Sequence, residues 1–200
     1  GDWSSDSKWI AYTKVTETQF KRIFLYSIDQ QKSFALTDGL SDASEPIFDK
    51  GGKYLFFFAS TDAGPVINWF DQSNDDLRST YSIYLVTLQK ETISPFAKES
   101  DEEKSKEATD TAKNKKEPAP AAEKKPTAFS IDWEGIQNRI IDLPLPAGNY
   151  GQLGMGKEGE LLYIVYPRDF QGPGMMHKYD IKKRKDEAVI EMDGYALSAD

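Results

Sequence analysis

Short runs of aromatic and β-branched residues recur between clusters of Gly, Asp, Ser and Lys: WIAYTKV (9–15), RIFLYSI (22–28), YLFFFAS (54–60), SIYLVTL (82–88), LLYIVY (161–166) and KYDI (178–181). Their length and their turn-forming flanks predict strands. One segment breaks the pattern. From 98 to 127 the chain reads KESDEEKSKEATDTAKNKKEPAPAAEKKPT, without Ile, Leu, Val, Met or an aromatic residue. Such a stretch has no apolar area to bury, which predicts a disordered, solvated insertion. No sustained helical period occurs elsewhere, so the expected fold class is all-β.

The runs repeat one another. Lys8 aligns with Lys53 at an offset of 45, which sets Trp3 against Phe48, Ser7 against Gly52, Trp9 against Tyr54 and Tyr12 against Phe57. A third copy, Gly159 to Tyr163, aligns with Gly52 to Phe56 at an offset of 107, a longer spacing because the charged insertion lies between them. Partner strands repeat too: FLYSID (24–29) is echoed by YLVTLQ (84–89) and HKYDIK (177–182). At the end, Leu197 to Asp200 matches Trp3 to Asp6, so both ends are expected to fall within one element and the chain to be part of a longer one.

Each copy holds an apolar residue, a tight turn with Asp, Ser or Gly, and then strand, loop, strand, turn and short outer strand. The turn residues tolerate positive φ or accept from nearby N–H groups. Four-stranded meanders of this length stacked radially make a β-propeller, whose rings hold four to eight blades. The expectation is an incomplete propeller of about three antiparallel blades. Residues 1–97 hold the first two, the second completed only after the insertion at 98–127. Residues 128–200 hold its end, the third blade and the start of a fourth. Three blades leave apolar faces and strand edges unpartnered, which predicts self-association of the isolated segment.

Composition narrows the function. With 33 Asp+Glu against 25 Lys+Arg the net charge is −8, which disfavours nucleic-acid or anionic-membrane partners. There are no Cys and one His, His177, so thiolate chemistry and multi-histidine zinc sites are excluded and no cofactor is expected. No apolar run approaches the roughly 20 residues of a membrane span.

The runs WSSDSKWIAY (3–12) and FDKGGKYLFF (48–57) resemble the blade-starting repeat of TolB and tricorn protease propellers. The stretch IDWEGIQNRIIDLPLPAGNYGQLGMGKEGELLYIVY (131–166), followed by KYDIKKRK (178–185), is similar to tricorn protease homologues, where an acidic-Gly-Ile-x-x-Arg element leads into a Leu-Pro-rich strand and a Gly-Asn-Tyr turn. Ser5 and Lys50 stand where the repeat has Pro, and Gly51 where it has Asp. The resemblance implies the N-terminal propeller region of a tricorn-like serine peptidase, a scaffold and peptide-substrate gate without catalytic residues of its own. Its implied partners are peptide substrates and downstream peptidase domains, with homo-oligomerisation and the compartment, periplasmic or cytoplasmic, left open. The alternative is a TolB-like protein-binding propeller of the cell envelope.

Four local motifs invite chemistry. Gly154 to Gly159 fits G-x-G-x-x-G, but a strand follows where a nucleotide site needs a helix, so a hairpin turn is expected. His177 lies on a predicted strand, and there is no G-x-S-x-G elbow to supply a nucleophile. Asp71 to Asp76 alternates oxygen ligands, but Asp76 stands where a calcium loop needs Gly and Ser82 where it needs Glu. Lys182 to Lys185 reads as a basic hairpin tip between a strand ending near Ile181 and another near Ala188 to Ile190. The loop 61–81 stands out. It is 15 residues longer than its counterpart in the first repeat and carries Val66, Ile67, Trp69 and Phe70 beside Asp71, Asp75, Asp76 and Arg78. Long loops with their own apolar cluster are commonly functional. Trp69, Phe70 and Arg78 are the expected contacts to a peptide or neighbouring domain.

Overall fold

The computed structural model of the chain describes residues 1–62, 79–97, 129–168 and 172–197. The first sheet contains β1 (Asp2–Trp3), β2 (Trp9–Val15), β3 (Lys21–Ser27) and β4 (Lys32–Ala35). The second contains β5 (Asp42–Phe48), β6 (Tyr54–Ser60), β7 (Ser82–Thr87) and β8 (Ile140–Asp142). The third contains β9 (Tyr150–Met155), β10 (Glu160–Val165), β11 (Met175–Asp180) and β12 (Lys185–Glu191). Every pairing is antiparallel and strand order follows the chain in each sheet. The first strands β1, β5 and β9 lie beside one another, while β12 is exposed along its whole length. The sheets therefore fan out from a shared inner edge as three consecutive propeller blades.

The middle blade is the clearest consequence of sequence. In YLFFFAS every residue after Tyr54 is buried, because both faces of β6 are covered. Leu55, Phe57 and Ala59 join Ala11, Ile23, Leu25 and Leu36 in one core cluster. Phe56 and Phe58 join Leu161, Tyr163, Tyr179 and Ile181 in another. A strand buried on two faces reads as a continuous apolar run, whereas β3, with Arg22, Phe24 and Tyr26 alternating with buried Ile23, Leu25 and Ser27, has one covered face. Burying each of these large side chains contributes about 1.5–3 kcal/mol, so each seam between blades carries a core of its own.

The turns after the inner strands repeat with variations. Ser7 and Gly52 occupy equivalent positions with φ of 58° and 67°. In the second blade Asp49 alone accepts the N–H groups of Gly51 at 3.1 Å, Lys53 at 2.7 Å and Tyr54 at 2.7 Å. Burial pushes its carboxyl up from the ordinary range against the pull of those donors. In the first blade the work is split: Asp6 accepts from Lys8 N at 3.1 Å and from the Ser4 hydroxyl, while Ser4 Oγ accepts from Trp9 N at 2.9 Å. The carboxylate missing opposite Asp6 is thus supplied from the position opposite Ser4.

The third copy needs a one-residue correction. The backbone bonds Ile28 N to Lys8 O, Leu88 N to Lys53 O and Ile181 N to Gly159 O are equivalent, which sets Gly159 against Lys53 and not against Gly52. The turn before β10 is one residue shorter, so strand residues from there correspond at an offset of 106. The inner strands keep 107. Both β5 and β9 bulge at a left-handed residue, Glu45 and Gln152, each with φ of 52°. These residues clasp successive inner segments: Glu45 Oε2 accepts from Leu153 N at 3.1 Å, and Gln152 Oε1 from Tyr195 N at 2.9 Å. Asp2 does the same earlier, accepting from Phe48 N at 2.8 Å.

Candidate functional site

The loop after β6 begins and ends on one carboxylate. Asp62 accepts from the Ser60 hydroxyl at 2.6 Å through Oδ1, and from Thr80 N at 3.1 Å and the Thr80 hydroxyl through Oδ2. These donors hold the Asp62 carboxyl down at about 2. The ionised side chain so ties the two ends of the connection together at its base. Trp69, Phe70 and Arg78, the residues expected to make contacts, lie outside the described residues, as does the oxygen-rich run from Asp71 to Asp76.

Beside this base is a hollow of about 270 Å³ at the seam between the first and second blades. Its floor is Ala43, Phe57, Ala59, Tyr84 and Ile140; its rim is Thr37, Asp38 and Ser41 from the link between blades, with Thr61 and Gln137. The blade link and the start of the long loop therefore open on the same side of the molecule.

The floor is built on a pair that every blade repeats. Tyr12 and Phe24, Phe57 and Tyr84, and Tyr163 and His177 are direct cross-strand partners. Their rings stack at 5.7, 5.8 and 5.5 Å with interplanar angles of 24°, 18° and 22°. Where the first member is Tyr, the outer strand supplies an acceptor: Tyr12 donates to Ser33 at 2.9 Å and Tyr163 to Asp186 at 2.8 Å. Where it is Phe57, the outer strand places Ile140 there instead.

This repeat explains His177. It holds the place of Phe24 and Tyr84, and its Nδ1 lies 2.7 Å from Asp186 Oδ2 while Asp186 Oδ1 accepts from Tyr163. Burial and the Asp186 carboxylate push the Tyr163 phenol far above its ordinary range, so it stays a donor. Sequence reasoning did not pair His177 with Asp186; the hairpin sets Tyr179 opposite Asp186 and His177 opposite Ala188, so the contact is diagonal, two positions along the outer strand. Among the described residues no group of three or more His, Asp or Glu is placed to hold a metal ion.

The remaining motifs are structural. Gly156 to Gly159 form the turn between β9 and β10, and residues 181–184 the turn between β11 and β12. From that turn the Arg184 guanidinium donates to Pro95 O at 2.9 Å and Ala97 O at 3.0 Å. On the other side of the second blade, Trp133 stacks on Phe34 at 4.6 Å and Phe129 meets Phe48 edge-on at 5.7 Å. The chain before the charged insertion is held by the third blade, and the chain after it by Phe34 of the first blade and Phe48 of the second.

A second hollow, of about 570 Å³, opens on the inner strands. Asp2, Lys21, Ser44, Glu45, Ile47 and Leu153 are among its lining residues. Lys21 Nζ lies 3.5 Å from the buried Asp42, and Lys21 N donates to the same carboxylate at 2.8 Å.

Comparison with known proteins agrees with this architecture. A family model described as the tricorn protease second beta propeller domain matches residues 1–200. A tricorn protease homolog of Saccharolobus solfataricus is 26% identical over 212 residues, covering 100% of this chain and 17% of that protein. Tricorn protease homolog 1 of Streptomyces coelicolor is 30% identical over 168 residues, covering 82% of this chain and 15% of that protein. The chain thus spans less than a fifth of the length of these relatives. Among solved structures, that of the tricorn protease superposes with a TM-score of 0.59 at 20% identity, covering 94% of this chain and 18% of that one. TolB from Acinetobacter baumannii gives 0.51 at 14% identity over 94% of this chain and 30% of that one, which is a likeness of fold. With the family model matching from end to end, the chain belongs to the second β-propeller domain family of tricorn proteases.

Proposed function

We propose that this propeller segment acts as scaffold and peptide-substrate gate for a tricorn-like serine peptidase, the peptide bond being cut elsewhere in the protein. The observation that supports it best is positional. The start of the long loop, anchored by Asp62, and the link between the first and second blades meet at one hollow at a blade seam, on a domain whose relatives are tricorn protease homologues. In this reading Trp69, Phe70 and Arg78 contact the peptide or a neighbouring domain, and peptide substrates and downstream peptidase domains are the partners.

The test uses the full-length protein. Trp69→Ala and Phe70→Ala should change the turnover of long peptides and leave that of very short ones unaltered, since a gate acts on what must pass it. Wild-type turnover of peptides of every length in both variants would overturn the assignment.

A further inference from the structure

We propose that the hollow between the first and second blades receives one aromatic side chain of a bound peptide. This rests on the peptide-gate assignment and names what the gate recognises.

The molecule holds its own demonstration of what fits. The inner-strand position of Ala43 is occupied in the third blade by Tyr150, as their pairings with Ala59 and Val165 establish. At the seam between the second and third blades the Tyr150 ring stands edge-on to Tyr163 at 5.3 Å and stacks on Phe58 at 6.0 Å. It thus covers Tyr163, the first member of that blade's stacked pair. At the preceding seam the equivalent pair, Phe57 with Tyr84, is present, but Ala43 brings no ring to cover it. The partner position shrinks as well, from Val165 to Ala59. The space left is the hollow.

Its size and chemistry agree with a side chain. About 270 Å³ falls just below the roughly 300–1,000 Å³ of whole-ligand pockets. The Phe57 and Tyr84 rings with Ile140 give an apolar floor, on which a third ring gains from offset or edge-on contact beyond its burial alone. The rim differs from that of the filled seam in the same sense. The first link places Thr37 and Asp38 where the second, aligned by the bonds of Leu36 N to Ile23 O and Leu143 N to Ile83 O, places Pro144 and Leu145. Leu145 packs into the core of its seam, whereas Asp38 is exposed at the mouth of the hollow, where a peptide backbone brings N–H groups. An apolar floor under a polar rim suits a peptide side chain inserted from solvent.

The experiment compares binding of two extended peptides, identical except for Phe or Ala at one position, to the full-length protein by calorimetry. The Phe peptide should bind about tenfold tighter or more. Ala43→Tyr, which copies Tyr150, should bring the two peptides to parity, and Ala59→Val should narrow the gap with the melting temperature maintained. If Ala43→Tyr fails to fold, Ala59→Val decides alone. A preference that survives in every folded filling variant overturns the proposal. So does equal binding of both peptides to the wild type, which leaves the gate assignment standing. Failure of both peptides to bind removes the gate assignment itself. Tighter binding of both peptides after Trp69→Ala with Phe70→Ala would show that the chain's own loop takes the hollow, and also overturns the proposal.

Discussion

The two seams between the three blades are made from the same parts and end differently. Each packs the previous-blade face of a stacked cross-strand pair against the blade before it. The seam between the second and third blades is closed by Tyr150, Val165 and Leu145; the one between the first and second has Ala43, Ala59 and Asp38 in those places. The contrast separates two jobs. A filled seam holds blades together, and a seam that forgoes a ring gives up packing in return for a place where something else fits. Stability and recognition should therefore respond oppositely to substitution at equivalent positions.

The largest expected effect is in the closed seam. Tyr150→Ala removes the ring packed between Tyr163 and Phe58 and should cost about 3 kcal/mol in chemical denaturation. A loss below about 1 kcal/mol would mean that the ring is not part of that core. Next comes the pair beneath it. Tyr163→Phe takes the donor from Asp186 in a buried setting and should cost about 1–2 kcal/mol, while Tyr12→Phe, whose bond to Ser33 is exposed, should cost a few tenths at most. Equal costs would show that burial does not distinguish the two blades.

Filling the open seam should act with the opposite sign. Ala59→Val should raise stability by about 0.5–1 kcal/mol, as cavity-filling substitutions do, and a comparable loss would mean the hollow is already occupied. The smallest effect belongs to the loop base. The Asp62 carboxyl is held at about 2, below its ordinary 3.8, so its ionised form is favoured in the folded state. Its contribution is complete above about pH 4 and is lost as pH falls from there toward about 2. Asp62 is exposed, so Asp62→Asn should cost less than about 1 kcal/mol at neutral pH. Between pH 4 and 2 the difference between variant and wild type should disappear. A gap that stays constant over that range would exclude the carboxylate as the clasp.

Much of this was written in the chain, and the exceptions have physical causes. Strands β2 and β6 coincide with the predicted runs 9–15 and 54–60, because both are rich in aromatic, β-branched and other apolar residues between turn-forming flanks. The inner strands β5 and β9 escaped notice because their bulges at Glu45 and Gln152 break the two-residue period and they carry Pro46, Gly151 and Gly154. Strand β8 is 3 residues long and shows no hydrophobic face; β12 is exposed along all of its 7, and its hairpin with β11 was the part that could be read, from the basic tip and the strand expected near Ala188 to Ile190. The long loop was legible from length and composition, and its anchor was not, since Asp62 meets Thr80 from 18 positions away. The hollow was half legible. The offset of 107 that relates the inner strands already sets Ala43 against Tyr150, but only the pairing register shows that both stand over a stacked pair.

Photo-crosslinking tests the central claim most directly. A peptide substrate carrying a photoreactive phenylalanine analogue, irradiated with the full-length protein and mapped by mass spectrometry, should label residues at the open seam, among them Thr61, Tyr84 and Gln137, and the loop that follows Thr61. Labelling that avoids this seam and falls on the closed one, on the turn at 181–184 or wholly outside the propeller would contradict it.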